Sequence, residues 1–399
     1  MTPRERVFAS LAHREPDAVP IDCGATMCST LTRVACDRLK AHLGMALSKD
    51  PITNPLTDSV ALPEELLALF AVDFRTVRMK GPSRPPSRPP ARPGAELAEP
   101  AEGEIVDEFG TTWSRTGYDY VPTGFSYARA TVPDLETLPM PDPLDPGRVQ
   151  NVRAEARALH DGTGCAVVAD FLCGGPFEQA QRIRGFEQFM VDIAGDVPFA
   201  AALLEKLTDN AIGFWAAMLS EVGEYVDVVC QGDDLGMQTG LQISAETYRK
   251  LVKPCHRRLF DFIHSRTKAR LWLHSCGSVH EIIPDLIEVG VDILNPVQCG
   301  AFNMELWRLK RDFGKDIAFW GGGIDIQRLP FLSVAQIRDE VARALDIMAP
   351  GGGYVFAASH NILAETSGER TYAAYMTAVE NRHGTHHDRQ RTPELRSGQ

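Results

Sequence analysis

Short apolar runs alternate with amphipathic stretches along most of this chain, and from about residue 160 the alternation is regular. Cys165-Ala-Val-Val-Ala-Asp170 reads as a buried strand. Helical patterning follows over 177–194, then a longer helix from Val197 to about Val222, with Pro198 where an early proline is tolerated. Val226–Cys230 is the next strand, and Ser244 is a good N-cap for a helix reaching about Thr267. Strands at Arg270–Leu273, Val291–Leu294, Asp316–Trp320 and Tyr354–Ala357 then alternate with helices at 279–288, 303–313, 334–347 and 366–381. Repeated strand-then-helix units with short links predict parallel strands joined by helical crossovers.

Two earlier strands, Val19–Asp22 and Phe74–Met79, raise the count to eight, the number that closes a (β/α)8 TIM barrel. A doubly wound open sheet is the alternative. The reading is one barrel domain over 1–381 with an N-terminal insert at about 80–130 and a polar, disordered tail over 382–399. Within the insert, a proline-arginine tract at 81–93 predicts a stiff exposed loop, and Glu104–Arg115 alternates like a β-hairpin turning near Glu108–Gly110. The histidines of the tail, His383, His386 and His387, read as tail composition.

Composition narrows the function. The 399 residues are 44% hydrophobic and 24% charged with a formal net charge of −12, which predicts no nucleic-acid partner and no membrane surface. No stretch approaches the roughly 20 apolar residues of a membrane helix, and the first residues show no secretion signal. Nine scattered cysteines with no CxxC pair argue for reduced thiols and a cytoplasmic protein.

In a barrel, chemistry collects at the C-terminal ends of the strands. There stand His274-Ser-Cys276-Gly277, whose first and third residues project to one side of an extended segment and offer an imidazole and a thiolate to one borderline cation. A packed histidine and an inert thiol is the structural alternative. Asp233 and Asp234 follow another strand and are candidates for catalysis or metal binding, because adjacent buried carboxylates need a cation or donors. His360, after Gly351–Gly353 and the last strand, is a third metal ligand or a proton donor. Asp22, Gln238, Asn295, Gln298, Trp320, Asp325 and Asn361 on the same rim are candidate substrate-binding residues.

These phrases carry a resemblance. Gly232-Asp-Asp-Leu-Gly-Met-Gln238, Ile243-Ser244 with Tyr248 and Lys253-Pro254, His274–Gly277, Gly290–Pro296, Trp320–Asp325 and Gly351–Asn361 together resemble the uroporphyrinogen decarboxylase-like superfamily, most strongly over 160–380. The resemblance implies a (β/α)8 barrel and one of two chemistries. The first is cofactor-independent decarboxylation of a carboxylated substrate, which depends on an arginine-rich segment after the first strand; here 25–33 holds only Arg33. The second, to which the chain is closer, is zinc-assisted methyl transfer between a small substrate and a corrinoid or thiol, as in methylcobamide methyltransferases. That branch uses a His-x-Cys pair, matched by His274 and Cys276, and a cysteine near the last strand, where this chain has Phe356-Ala-Ala-Ser-His360. His360, Asp233 or Asp234 would then complete the zinc site. A methoxylated substrate and O-demethylation are expectations by analogy, and a cobalamin would come free or on a partner protein. The fold commonly forms homodimers.

Overall fold

The computed structural model describes residues 1–383 except 48, 84–102, 118, 139 and 171–173. Seven strands form one parallel sheet: β1 (Phe74–Val77), β2 (Ala166–Ala169), β3 (Val228–Gly232), β4 (Arg270–His274), β5 (Ile293–Asn295), β6 (Ala318–Trp320) and β7 (Tyr354–Val355). Each pairs in parallel with the next in chain order. Apart from β1, the strands are almost wholly buried, which is why they read as continuous apolar runs with no polar face.

The sheet curls until its far members touch. Phe74 of β1 packs against Trp320 of β6 with ring centroids 4.4 Å apart, and Trp320 meets Trp272 of β4 edge-on at 6.1 Å. Strands that are not neighbours reach one another only across an interior, so these aromatics fill a barrel-like core. The expected eighth strand is corrected by the structure. In Val19–Asp22 only Ile21 forms a bridge, parallel to Phe356, and on its other side its carbonyl accepts the Asp73 N–H at 3.0 Å. Pro20 supplies no N–H, and the Ile21 N–H goes to the Asp73 side chain at 2.9 Å instead of a neighbouring strand. The architecture is therefore TIM-barrel-like, seven strands with a single bridge in the eighth place rather than a closed eight-stranded ladder.

Local sequence explains most of the helices. Val197–Val222 runs unbroken, whereas the stretch expected at 177–194 is two helices, Pro176–Arg184 and Phe186–Gly195, broken at Gly185 with φ +92°. Ser244 caps through its side chain, accepting the Thr247 N–H at 3.1 Å, although a π-turn over Tyr248–Val252 precedes the long helix Lys253–Arg266. The insert carries the expected hairpin, Glu104–Val106 paired with Thr112–Thr116, and adds a third antiparallel strand, Asp119–Gly124. The third contains Pro122, which is tolerated because that strand lies at the sheet edge.

The proline-arginine tract from residue 84 on, and His386 and His387, lie outside the described residues. Arg382, expected to open the polar tail, is instead buried. Its guanidinium pairs with Asp73 and donates to the carbonyls of Val19 and Ala71, tying the last helix, Gly368–Asn381, to the eighth barrel position. Among the described residues, no helix is long and apolar enough to cross a membrane.

Candidate active site at the strand ends

β4 ends on His274, whose register partners are Gly232 of β3 and Asn295 of β5. Its Nδ1 lies 2.7 Å from the Asn295 Oδ1, and the Asn295 Nδ2 donates to the Trp320 carbonyl at 2.8 Å. A carbonyl only accepts, so the amide nitrogen of Asn295 must face Trp320 and its oxygen must face His274. The proton of a neutral His274 therefore sits on Nδ1, and the Nε2 lone pair points into the mouth, 3.2 Å from the Cys276 Sγ and 4.0 Å from Asp234. Burial holds the His274 pKa below its ordinary value, which keeps the ring neutral at pH 7.

The turn after His274 is fixed on every side. The Cys276 N–H donates to Asp234 at 2.8 Å, the Gly277 N–H to Gln298 Oε1 at 2.6 Å, and the Ser275 hydroxyl accepts the Leu235 N–H at 3.0 Å. Gly277 has φ +80°, and a Cβ there would lie 2.6 Å from the Gly236 backbone, so no larger residue fits the turn.

Two further donors face His274 from the opposite side of the mouth. The His360 ring lies edge-on to it with centroids 5.4 Å apart, and burial drives the His360 pKa down to about 3. Cys28, on the loop after Asp22, brings its thiol alongside. The ligand atoms of Cys28, His274 and His360 lie within 4.8 Å of one another, and so do those of Asp234, His274 and Cys276. Burial pushes both thiols well above their ordinary pKa, as it must for a thiolate with no cation beside it. Neutral imidazoles, thiols and a carboxylate within such a span form a donor set that suits zinc, so the residues present fit that ion.

Glu178 and Arg182 form an ion pair beside this cluster, on the helix Pro176–Arg184. Burial, opposed by Arg182, raises the Glu178 carboxyl to about 7. The insert reaches the same place, with the Arg182 guanidinium over the Trp113 ring at 5.5 Å.

Other residues expected on the rim serve the scaffold. Asp233 is fully buried. Its oxygens accept the Phe177 and Glu178 N–H groups at 3.2 and 2.6 Å and lie 2.8 Å from His256, so it caps the helix Pro176–Arg184 instead of facing the mouth. Asp22 accepts from the Trp320 indole at 2.7 Å and the Ala25 N–H at 2.7 Å, and burial raises its carboxyl to about 6. Trp320 is thus a core residue under the site. Asn361 binds the Thr30 N–H, the Met27 carbonyl and the Ser59 hydroxyl. Gln238, Gln298 and Asp325 line a shallow depression with Cys299 and Ser359. Cys28, Glu178, Arg182 and His256 were not singled out from sequence; the one available signal was Cys28's position soon after a strand-end aspartate.

Comparison with known proteins bears on the family and the fold. A methylated-thiol–coenzyme M methyltransferase of Methanosarcina mazei is 26% identical over 227 residues, which span 55% of this chain and 57% of that relative's length. A solved structure of a methyltransferase from Methanosarcina mazei superposes with TM-score 0.62 at 19% identity, covering 95% of this chain and 99% of the other, and so shares its fold. A β-glycosidase from Thermosphaera aggregans aligns at TM-score 0.40, too low to bear on the site. The family model for uroporphyrinogen decarboxylase (URO-D) matches residues 108–382, and the chain belongs to that family.

Proposed function

We propose that this protein is a metal-assisted methyltransferase that moves a methyl group between a small substrate and a corrinoid or thiol acceptor. The observation that carries the reading is the Nε2 of His274, left as a lone pair by the Asn295 hydrogen bond and facing the Cys276 thiol at 3.2 Å. The two Methanosarcina relatives named as methyltransferases support the same class of chemistry.

Zinc held by His274 and Cys276, with His360 or Asp234, would supply Lewis acidity that stabilises a thiolate or polarises the atom bearing the methyl group. The protein's own groups do the rest. Asn295 fixes the ring of His274, an outer hydrogen bond of the kind that typically changes metal affinity 10–100-fold. Asp234 holds the Cys276 backbone and, being raised in pKa mainly by burial, gains from a nearby cation. Glu178 titrates close to neutrality and can hold or release a proton beside the reacting atoms. A corrinoid would come free or on a partner protein, and methoxylated compounds are the first substrate class to assay.

The decarboxylase reading finds less support. Arg33, the one arginine in 25–33, is paired with Asp58 at the surface, and the strand-end arginine Arg78 is paired with Asp170. Incubating the purified protein with methylcobalamin and a panel of small thiols, and following the cobalamin spectrum, tests the proposal. Thiol-dependent demethylation abolished by His274→Ala supports it; demethylation that is absent with every thiol, and with methoxylated donors in the reverse direction, overturns it.

A further inference from the structure

Two donor groups share His274, yet one Nε2 lone pair serves one cation. The Asp234–His274–Cys276 group comes from neighbouring strand ends, whereas the Cys28–His274–His360 group joins opposite ends of the chain. What makes Cys28 more than a stray thiol is how firmly its loop is held. The Met27 N–H donates to both oxygens of Asp170 at 3.2 and 3.0 Å, and the Met27 carbonyl accepts from Asn361 at 2.9 Å. The Cys28 N–H donates to the Thr26 hydroxyl at 3.2 Å, and that hydroxyl meets Ser29 at 3.0 Å. Thr30 is pinned through its N–H to Asn361 at 2.9 Å. Each residue flanking Cys28 is thus fixed by a side chain, the arrangement that pre-orders a ligand against loss of loop entropy.

The barrel explains why this loop can reach His360. Ile21 bridges Phe356, so the segment leaving the eighth position runs beside the segment leaving β7. Asn361 follows His360 directly and binds the loop on both sides of Cys28. Asn361, with the Leu31–Ile362 bridge just beyond it, thereby sets the spacing of an imidazole and a thiol that are more than 300 positions apart in sequence.

We infer that Cys28 is a thiolate ligand of the metal at His274, giving the site a second sulfur from the N-terminal loop. The inference rests on the metal-assisted reading above. It commits the site to a thiophilic ion such as zinc, with cobalt(II) as its spectroscopic stand-in, and against magnesium or calcium, which prefer oxygen donors. It also makes the loop 22–30 part of the site, with Asn361 and Asp170 as positioning residues that act through Cys28.

Cobalt(II) titration of the full-length protein separates the possibilities, because its near-ultraviolet sulfur-to-metal absorption scales with the number of thiolates. The expected result is that Cys28→Ser and Cys276→Ser each halve the band, that the double variant abolishes it, and that cobalt binds Cys28→Ser more than about 10-fold more weakly. A band of unchanged intensity and affinity in Cys28→Ser, lost entirely in Cys276→Ser, overturns the role of Cys28 and leaves the metal reading standing. No cobalt bound by the unaltered protein overturns both. Alkylation supplies a readout that needs no variant. Among the described cysteines, Cys28, Cys276 and Cys299 are half-buried and the rest are buried. Metal should shield Cys28 and Cys276 from iodoacetamide and leave Cys299 reactive; modification of Cys28 at the same rate with and without metal contradicts the assignment.

Discussion

The two sides of the barrel mouth present donors to the same point but are built differently. On one side, His274, Cys276 and Asp234 follow β3 and β4, and strand register sets their spacing, with His274 opposite Gly232 and Asn295. On the other, Cys28 and His360 sit on loops joined only by isolated bridges, Ile21–Phe356 before them and Leu31–Ile362 after them, and side-chain hydrogen bonds from Asp170, Asn361 and Thr26 hold the Cys28 loop between. The first side is a continuous backbone ladder, and the second is a loop clamped by side chains between two isolated bridges. The first should therefore resist single substitutions on its rim, and the second should loosen when one polar partner is removed.

The largest expected effect separates Asp233 from Asp234, adjacent in sequence and opposite in role. Asp233→Ala leaves two buried helix N–H groups and His256 without their acceptor and should cost about 3 kcal/mol or more, read as a drop in the denaturation midpoint. Asp234→Ala should change stability by less than about 1 kcal/mol, since Asp234 is partly exposed and accepts one backbone N–H, while weakening metal binding. Equal destabilisation by the two would break the distinction.

Next comes Asn361→Ala. It removes three hydrogen bonds around the Cys28 loop and should cost about 1–3 kcal/mol. It should also weaken metal affinity by about 10-fold without touching a proposed ligand, as outer partners do. Isothermal titration with zinc checks this; unchanged affinity would mean that the loop holds its shape without Asn361.

The smallest effect is a pH dependence. The fold raises the Glu178 carboxyl to about 7, so its protonated form is the favoured one. That contribution is present below the ordinary carboxylate pKa and is lost as pH rises through about 7. Glu178→Gln, which stays neutral, should gain melting temperature relative to the unaltered protein between pH 6 and pH 8. A difference that is flat across that range would show that Glu178 is already ionised at pH 6.

The same contrast accounts for what the sequence made legible. Six strand-helix units from residue 165 on were readable because buried parallel strands are short apolar runs bounded by polar helices. Val19–Asp22 was over-read as a strand because its apolar residues obscured the effect of Pro20, which reduces the pairing to one bridge. His274, Cys276, Asp234 and His360 were legible as reactive residues at strand ends. Asp233, Asp22, Trp320 and Asn361 looked equivalent to them in sequence, and only their partners show them to be a helix cap, an indole anchor, a core ring and a loop clamp. Cys28 was missed for the converse reason: its place soon after Asp22 is a weak signal, and the neighbours that give its thiol a role lie at residues 274 and 360.

The central claim is that the mouth of this barrel binds a thiophilic metal through His274. Metal content of the untagged protein, purified without chelator and measured by mass spectrometry beside His274→Ala/Cys276→Ala, tests it most directly. The account predicts about one zinc per chain, lost in the double variant. Metal-free protein that stays metal-free after incubation with zinc, or zinc retained in full by the double variant, would contradict it.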